Sequence, residues 1–315
     1  MRIPKAFRSL ALTFVATTAL STGLTTVATQ LPANAAGSPS DLVTAVQAKK
    51  PKKKRTTVVK DLSFNVASFN ILGSNHTDGK KKKRSRYASG VTRARWAVDL
   101  LKTHKTSVVG FSEIQPDQLR TVLAYGGGKY TSYPSPDAPK KAVPTAIVWK
   151  KRWWTLVSTH ELVVPFLGQK RPQAAIVLQH KTTGQKVGFV NVHLTPVRKR
   201  DKSFGEKERN IGTNRMIKQA QAFASTGIPV FLTGDMNERE EVFCDVTTRT
   251  DMVAAAGGTN DGNSCQPPKN IGLDWIFTTP QVLLSQFRFQ ADPLVKKITD
   301  HRVPMVRATI PAAGS

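Results

Sequence analysis

From residue 62 onward the chain repeats one texture: short apolar runs of strand length, separated by glycine, proline and charged turns. The runs cover 64–72, 108–114, 146–149, 174–179, 187–194, 230–233, 273–278 and 303–310. Apolar runs this short, bounded by turn formers, predict β-strands. Two stretches change period. Over 93–104, Trp96, Ala97, Leu100, Leu101 and His104 recur at helical spacing, and over 207–224 Ile211, Met216, Ile217, Ala220 and Phe223 do so less regularly. Gly90 and the basic run at 80–86 mark a loop before the first helix, and Thr226-Gly227-Ile228-Pro229 stops the second. No internal repeat is visible. Many strands with few helices predict an α+β fold in which two packed sheets are flanked by helices within one domain.

Ahead of this body the texture differs twice. The chain begins with Arg2, Lys5 and Arg8, runs through an apolar stretch at 10–24 and reaches Ala33-Asn34-Ala35, a small-x-small site. That layout predicts a secretory signal peptide over 1–35, cleaved after Ala35, and hence a secreted, extracellular protein. The apolar stretch is short and threonine-rich for a membrane anchor. No later segment reaches spanning length, so no stable membrane insertion is expected. Residues 36–60 are small, polar and finally lysine-rich, a composition that buries nothing and predicts a disordered arm. The folded body is then 61–312.

Charge narrows the partners. The chain carries a formal net charge of +26, with seven Lys/Arg at 49–60 and six at 80–86. Setting those and the leader aside still leaves a basic body. Such a field implies a polyanionic partner: nucleic acid, an anionic envelope polymer or acidic lipid. The alternative is solvated charge that aids solubility. Lys50-Pro51-Lys52-Lys53-Lys54-Arg55 has the form of a nuclear-import signal, a reading at odds with the export leader. The two cysteines, Cys244 and Cys265, most simply form one disulfide in an exported chain, two free thiols being the alternative.

The candidate chemistry lies where the strands end. The run from 64 ends in Asn70, that from 108 in Glu113, that from 187 in His193, and that from 230 in Gly234-Asp235-Met236-Asn237. Asp274 sits within Leu273-Asp274-Trp275-Ile276-Phe277, and Asp300-His301 precedes the last strand. Ionisable and amide groups in so apolar a setting are costly unless paired or bound to a metal. The set offers oxygen donors suited to Mg²⁺ or Mn²⁺, two histidines and no thiolate. That inventory suits phosphate-ester hydrolysis: a divalent ion offsets the charge of a phosphodiester, and a carboxylate-backed imidazole titrates near neutrality.

Six segments, taken in order, carry a resemblance. Ser68-Phe69-Asn70-Ile71-Leu72, Gly110-Phe111-Ser112-Glu113, Asn191-Val192-His193-Leu194, Gly234-Asp235-Met236-Asn237, Leu273-Asp274-Trp275-Ile276 and Thr299-Asp300-His301 resemble the endonuclease/exonuclease/phosphatase superfamily, which includes deoxyribonuclease I, over 62–310. The resemblance implies a four-layer α/β/β/α sandwich of two mixed sheets with the site at one end. It also implies a metal held by Glu113 with Asn70 and Asp300, and a water activated or oriented by Asp235. Asn237 would hold a phosphate oxygen, and His193 would contact the scissile phosphate. His301, oriented by Asp274, would act as general base or as a charged stabiliser. Arg171-Pro172 matches a pair common in the family; Arg171 either reaches phosphate or makes a turn. Cys244 and Cys265 are placed like a structural disulfide of secreted deoxyribonucleases.

Two departures stand out. Ser112 replaces the glutamine that usually precedes the acidic ligand. Thr145-Ala146-Ile147-Val148-Trp149-Lys150 lacks the acid that backs the first histidine in deoxyribonuclease-like members, which leaves His193 without that partner. His76 belongs by default to a loop, with the rim of the site as the alternative. Three functions follow: a secreted nuclease acting on DNA or RNA; a secreted phosphodiesterase or phosphatase on lipid headgroups or small phosphates; and a non-catalytic polyanion binder, which would have no need of the full donor set. Tyr130, Tyr133, Trp153 and Trp154 are base-stacking candidates for the first, or else core. The apolar segment 162–167 is the candidate membrane-inserting hairpin for the second, or else a buried strand.

Overall fold

The computed structural model describes residues 60–79, 84, 86–198 and 202–312. The leader, the lysine-rich arm and most of the 80–86 run lie outside the described residues. The first elements are β1 (Leu62–Asn70), a one-turn helix α1 (Ser74–Thr77), α2 (Gly90–Thr103), β2 (Thr106–Ser112), α3 (Pro116–Tyr125), β3 (Tyr130–Tyr133) and β4 (Ile147–Lys150). Then come β5 (Trp154–Phe166), β6 (Gln169–His180), β7 (Lys186–His193), α4 (Lys202–Ala224) and β8 (Val230–Asp235). The last third holds α5 (Glu240–Arg249), β9 (Val253–Ala254), β10 (Thr259–Asn260), β11 (Cys265–Gln266), β12 (Asp274–Thr278), β13 (Leu283–Phe289), α6 (Pro293–Ile298) and β14 (Pro304–Ile310).

Among the described residues the strands form two mixed six-stranded sheets, ordered β13-β14-β1-β2-β4-β3 and β5-β6-β7-β8-β12-β9, plus the small β10-β11 ladder. Their inner faces bury one apolar layer in which Phe64, Val66, Trp149, Ile176, Phe189 and Phe231 meet. The outer face of the first sheet packs beneath α2, α3 and α6 through Phe69, Leu100, Leu101, Leu119 and Ile298. The second packs beneath α4 and α5 through Val190, Leu232, Met216, Phe223 and Phe243. The result is the four-layer sandwich that the sequence resemblance implies.

Local chemistry sets the helix ends. Ser89 caps α2 by accepting from the Thr92 amide, and the Asp78 carboxylate receives the Gly90 N–H. Pro116 opens α3, where Gln115 and Gln118 form a reciprocal capping box. The β5–β6 hairpin absorbs segment 162–167: Leu162, Val164 and Phe166 are buried in it, and the membrane-hairpin reading is replaced by a buried strand. Of the stacking candidates, Tyr130 and Trp154 are core residues, with Trp154 donating its indole N–H to Ser107. Cys244 and Cys265 form a disulfide that ties α5 to β11 across a 21-residue separation, which in the chain-entropy model stabilises by roughly 3 kcal/mol. No helix of the described residues is long and apolar enough to cross a membrane.

Strand register decides where the polar residues gather. β1 and β2 are parallel, with Asn70 level with Ser112, and β7 and β8 are parallel, with His193 level with Asp235. Helices α2 and α4 return the chain between the members of each pair, so all four strands finish at the same edge of the sandwich. The antiparallel neighbours start there: Asp274 opens β12 opposite Asp235, and 299–301 precedes β14 beside the end of β1.

Candidate active site

Six strand ends therefore converge on one cavity of about 340 Å³. It is lined by the side chains of Glu113, His193, Asp235, Asn237, Asp300 and His301, with His76, Arg84, Arg171 and Arg198 around them. Asn70 and Asp274 lie just beneath and are joined to that lining by hydrogen bonds.

Asp235 is the hub. Its Oδ2 accepts from Asn70 Nδ2 at 2.9 Å and lies 3.5 Å from His193 Nε2 and 3.8 Å from His301 Nδ1. Its Oδ1 accepts from the Asn237 amide at 3.0 Å. Burial, followed by the charge of Asp274, pushes its pKa up to about 7 against the pull of His301, Asn70 and Asn237. His301 Nδ1 stands 2.7 Å from Asp274 Oδ2, so Asp274 orients that ring. Burial alone would lower the His301 pKa. Asp274 first, then Asp235 and Asp300, override it and raise the ring to about 10. The Asp274 Oδ1 also receives the Asn70 N–H at 3.2 Å.

His193 has the opposite environment. Burial takes its pKa down to about 3, with Arg171, His301 and His76 adding to the effect and Glu113 opposing it. Its Nδ1 is buried without a hydrogen-bond partner among the described residues. In the acid-free stretch 145–150, Thr145 donates its hydroxyl to the Pro172 carbonyl. The strand instead holds His193 through its backbone, whose N–H reaches Gln173 Oε1 at 2.8 Å. The ring makes a T-shaped contact with Phe166, centroids 4.9 Å apart, and Arg171 lies over the Phe166 ring, 3.3 Å from its centroid. Arg171 is thus a strand residue of β6 facing the cavity and not a turn former. Burial lowers it to about 10, which leaves it cationic at neutral pH.

Glu113 accepts from the Gly73 N–H at 3.2 Å and meets His76 Nε2 at 3.4 Å, so His76 joins the site. Burial would raise the Glu113 pKa, but His193, His76, Gly73 and Asn70 together hold it below the ordinary carboxylate value. Asp300 Oδ2 pairs with Arg84 at 3.1 Å. Asn237 donates through Nδ2 to the Leu194 carbonyl at 2.9 Å. Ser112, in the place of the usual glutamine, bridges the two sheets: its hydroxyl donates to Val192 O and receives the Asp235 N–H, both at 3.4 Å.

The oxygen donors of Glu113, Asp300 and Asn70 fit a hard divalent cation such as Mg²⁺ or Mn²⁺. Asp235, Asp274 and His301 also place three donor atoms within 4.8 Å of one another. The 2.7 Å hydrogen bond occupies the Asp274–His301 pair, so that trio is better suited to holding a proton than to surrounding an ion.

Backbone strain collects at the same place. Leu72, Glu113, Leu167 and Asn237 have positive φ of 56°, 63°, 51° and 51°, and all four line the cavity. Each follows a strand by one or two residues. A left-handed non-glycine residue costs on the order of 1–2 kcal/mol, and such strain tends to concentrate where geometry serves function. The turn at Leu167 and Gly168 is fixed by Glu208, whose carboxylate receives both backbone N–H groups. Buried Arg93 acts on the other side, donating to the carbonyls of Ile71, Leu72 and Ile298 and to Thr77 Oγ1. It thereby ties the end of β1 to the segment that carries Asp300.

The Endonuclease/Exonuclease/phosphatase family model matches residues 62–301. Solved structures share the fold. An endonuclease/exonuclease/phosphatase family protein from Bacteroides thetaiotaomicron is 18% identical, with a TM-score of 0.60 over 80% of this chain and 99% of that one. A mannosyl-6-phosphatase of the same species is 16% identical, with a TM-score of 0.58 over 78% and 99%. The human Nocturnin catalytic domain with bound sulfate is 18% identical, with a TM-score of 0.55 over 78% and 94%. Comparison with curated protein sequences gives no match. With its motifs in order along both sheets and the family match spanning most of its length, this chain belongs to the endonuclease/exonuclease/phosphatase family.

Proposed function

We propose that this protein is a secreted, Mg²⁺- or Mn²⁺-dependent phosphodiesterase that acts on nucleic acid. The observation that carries the reading is the convergence of Glu113, Asp235, His301 and His193 on one cavity, with Asn70 and Asp274 hydrogen-bonded to that lining and the two imidazoles shifted in opposite directions. A divalent ion bound by Glu113, Asp300 and Asn70 would offset the charge of the phosphate and so permit attack by water. Asp235, raised to about 7, is matched to accept the proton of that water. His301, cationic and fixed by Asp274, is matched to hold the negative charge that develops on the phosphoryl group. Neutral His193 and the Asn237 amide offer hydrogen bonds without adding charge, and Arg171 supplies a fixed cation.

The basic composition supports nucleic acid, because lysine and arginine neutralise backbone phosphates with sequence-independent affinity. The export leader supports secretion. A second reading, hydrolysis of a small phosphate ester, draws on the cavity itself: about 340 Å³ is at the small end of small-molecule sites, and Arg84, Arg171 and Arg198 all line it. A substrate panel separates the two. Duplex DNA, single-stranded DNA, RNA, bis(p-nitrophenyl) phosphate and sugar phosphates are assayed with Mg²⁺, with Mn²⁺ and with chelator. Hydrolysis of polynucleotides at higher kcat/KM than of monoesters supports the proposal; hydrolysis of monoesters alone replaces it with the second reading.

A further inference from the structure

Beside the 340 Å³ cavity lies a second, larger groove of about 890 Å³, and the two share Asp300 and His301. It lies between the start of α2, the end of β13 and α6. Its walls carry three rings, Tyr87, Trp96 and Phe289, and three cations, Arg86, Lys296 and Lys297; Arg86 lies 5.1 Å over the Tyr87 ring. Each ring is partly exposed, and both lysines are exposed. The two acids of the groove are already engaged. Asp292 caps α6 through the Leu294 N–H, and Asp300 pairs with Arg84. Arg302 lies 3.7 Å over Phe289 and is anchored to Asn270 Oδ1 at 2.8 Å, which stiffens that wall.

We infer that this groove binds the nucleotides flanking the scissile phosphate of a single-stranded polynucleotide. The inference rests on the phosphodiesterase reading and names the substrate form. A sugar phosphate would fill the smaller cavity and leave the groove without a use. A lipid would match the lysines through its headgroup but would call for a long aliphatic wall, whereas the large apolar side chains of the groove are the three rings. Cations and aromatic rings sharing one groove suit a polymer that carries both phosphates and bases, and stacking needs bases released from a duplex. The shared His301 and Asp300 place the first flanking unit directly beside the reacting phosphate.

The test uses the full chain and three variants outside the catalytic set: Tyr87→Ala, Phe289→Ala and the double Lys296→Ala/Lys297→Ala. Circular dichroism checks folding; if Phe289→Ala fails to fold, the other two carry the test. Each protein is assayed on (dT)₁₂, on a 12-base-pair duplex and on bis(p-nitrophenyl) phosphate, and binding of labelled (dT)₁₂ is followed by anisotropy in chelator. The variants should lose about tenfold or more in kcat/KM and affinity for (dT)₁₂ while turning over the small diester as the parent does. The double variant should also show a shallower salt dependence of binding. Equal effects on oligonucleotide and small diester, unchanged (dT)₁₂ affinity, or a parent preference for duplex would overturn the inference. If the parent hydrolyses none of the three, the phosphodiesterase reading fails, and anisotropy alone judges the groove.

Discussion

Replacing Asp274 by Asn removes the carboxylate that fixes the protonation of His301. The two groups are 2.7 Å apart. At an effective dielectric of about 20, a unit charge pair at that distance interacts by ~6 kcal/mol, enough to move a pKa by about four. The elevation of His301 from 6.5 to about 10 is of that order. Without Asp274, burial, already the largest single influence, is opposed only by Asp235 and Asp300, and His301 should titrate near or below neutrality. The chain has six histidines, few enough for ring signals to be followed by ¹H–¹⁵N correlation across a pH series, with His301→Gln identifying the signal. The parent ring should stay protonated past pH 8, and the Asp274→Asn ring should deprotonate below about pH 7. Turnover at pH 7 should fall by about 10² or more, since His301 would no longer carry charge into the transition state. Stability should follow. A folded pKa above the unfolded value contributes stability that is complete below about pH 6.5 and is lost as pH rises through about 10, so the parent should weaken over that window and the variant less so. An unchanged His301 titration, or a loss of turnover under tenfold, would refute the reasoning.

His193 works in the other direction. Its folded pKa is depressed, so the unfolded chain binds its proton first, and stability should drop as pH falls from about 6.5 toward 3; urea titrations should find that decline flatter in His193→Asn. Arg93→Met leaves the carbonyls of Ile71, Leu72 and Ile298 without their buried donor, and should cost about 3 kcal/mol or more in denaturant unfolding and lower kcat. Arg93→Lys should not restore it, because an ammonium cannot span the same fork of acceptors. Reducing the Cys244–Cys265 bond, or replacing both cysteines by serine, should cost roughly 3 kcal/mol and lower Tm while leaving turnover of a small diester intact.

The strands that deliver the site were legible because each is an apolar run ending abruptly in an amide, acid or imidazole. Where burial is one-sided the pattern fades: 155–161 of β5 is largely exposed, and edge strand β13 is exposed along most of its length. Helix α4 starts at Lys202, earlier than its periodicity suggests, because the inward face of its first turns is Gly205, Glu208, Arg209 and Gly212, none of them apolar. α3 was missed, although Pro116 and the Gln115/Gln118 pair form a capping signal that hydropathy alone passes over. The partners recruited after β1 were only partly legible: the rim of the site was one reading of His76, while Arg84 stood out only as part of a charge run. His76 and Arg84 reach Glu113 and Asp300 only because of the path of the chain after β1, and the left-handed backbone at Leu72, Glu113, Leu167 and Asn237 has no glycine to mark it. The environment of His193 was partly visible: the stretch 145–150 offers no acid, and His193 Nδ1 has no hydrogen-bond partner among the described residues.

The central claim is that Glu113, at the end of β2, makes this cavity the site of metal-dependent phosphate-ester hydrolysis. The most direct measurement is steady-state turnover of bis(p-nitrophenyl) phosphate by metal-stripped parent and Glu113→Gln, in chelator and during Mg²⁺ or Mn²⁺ titration, with metal affinity followed by calorimetry. The parent should be inactive in chelator and recover on titration, while Glu113→Gln should bind the ion more weakly and stay at least a hundredfold slower at saturation. Full turnover by the parent in excess chelator, or a Glu113→Gln enzyme that matches it in both rate and metal affinity, would contradict the account.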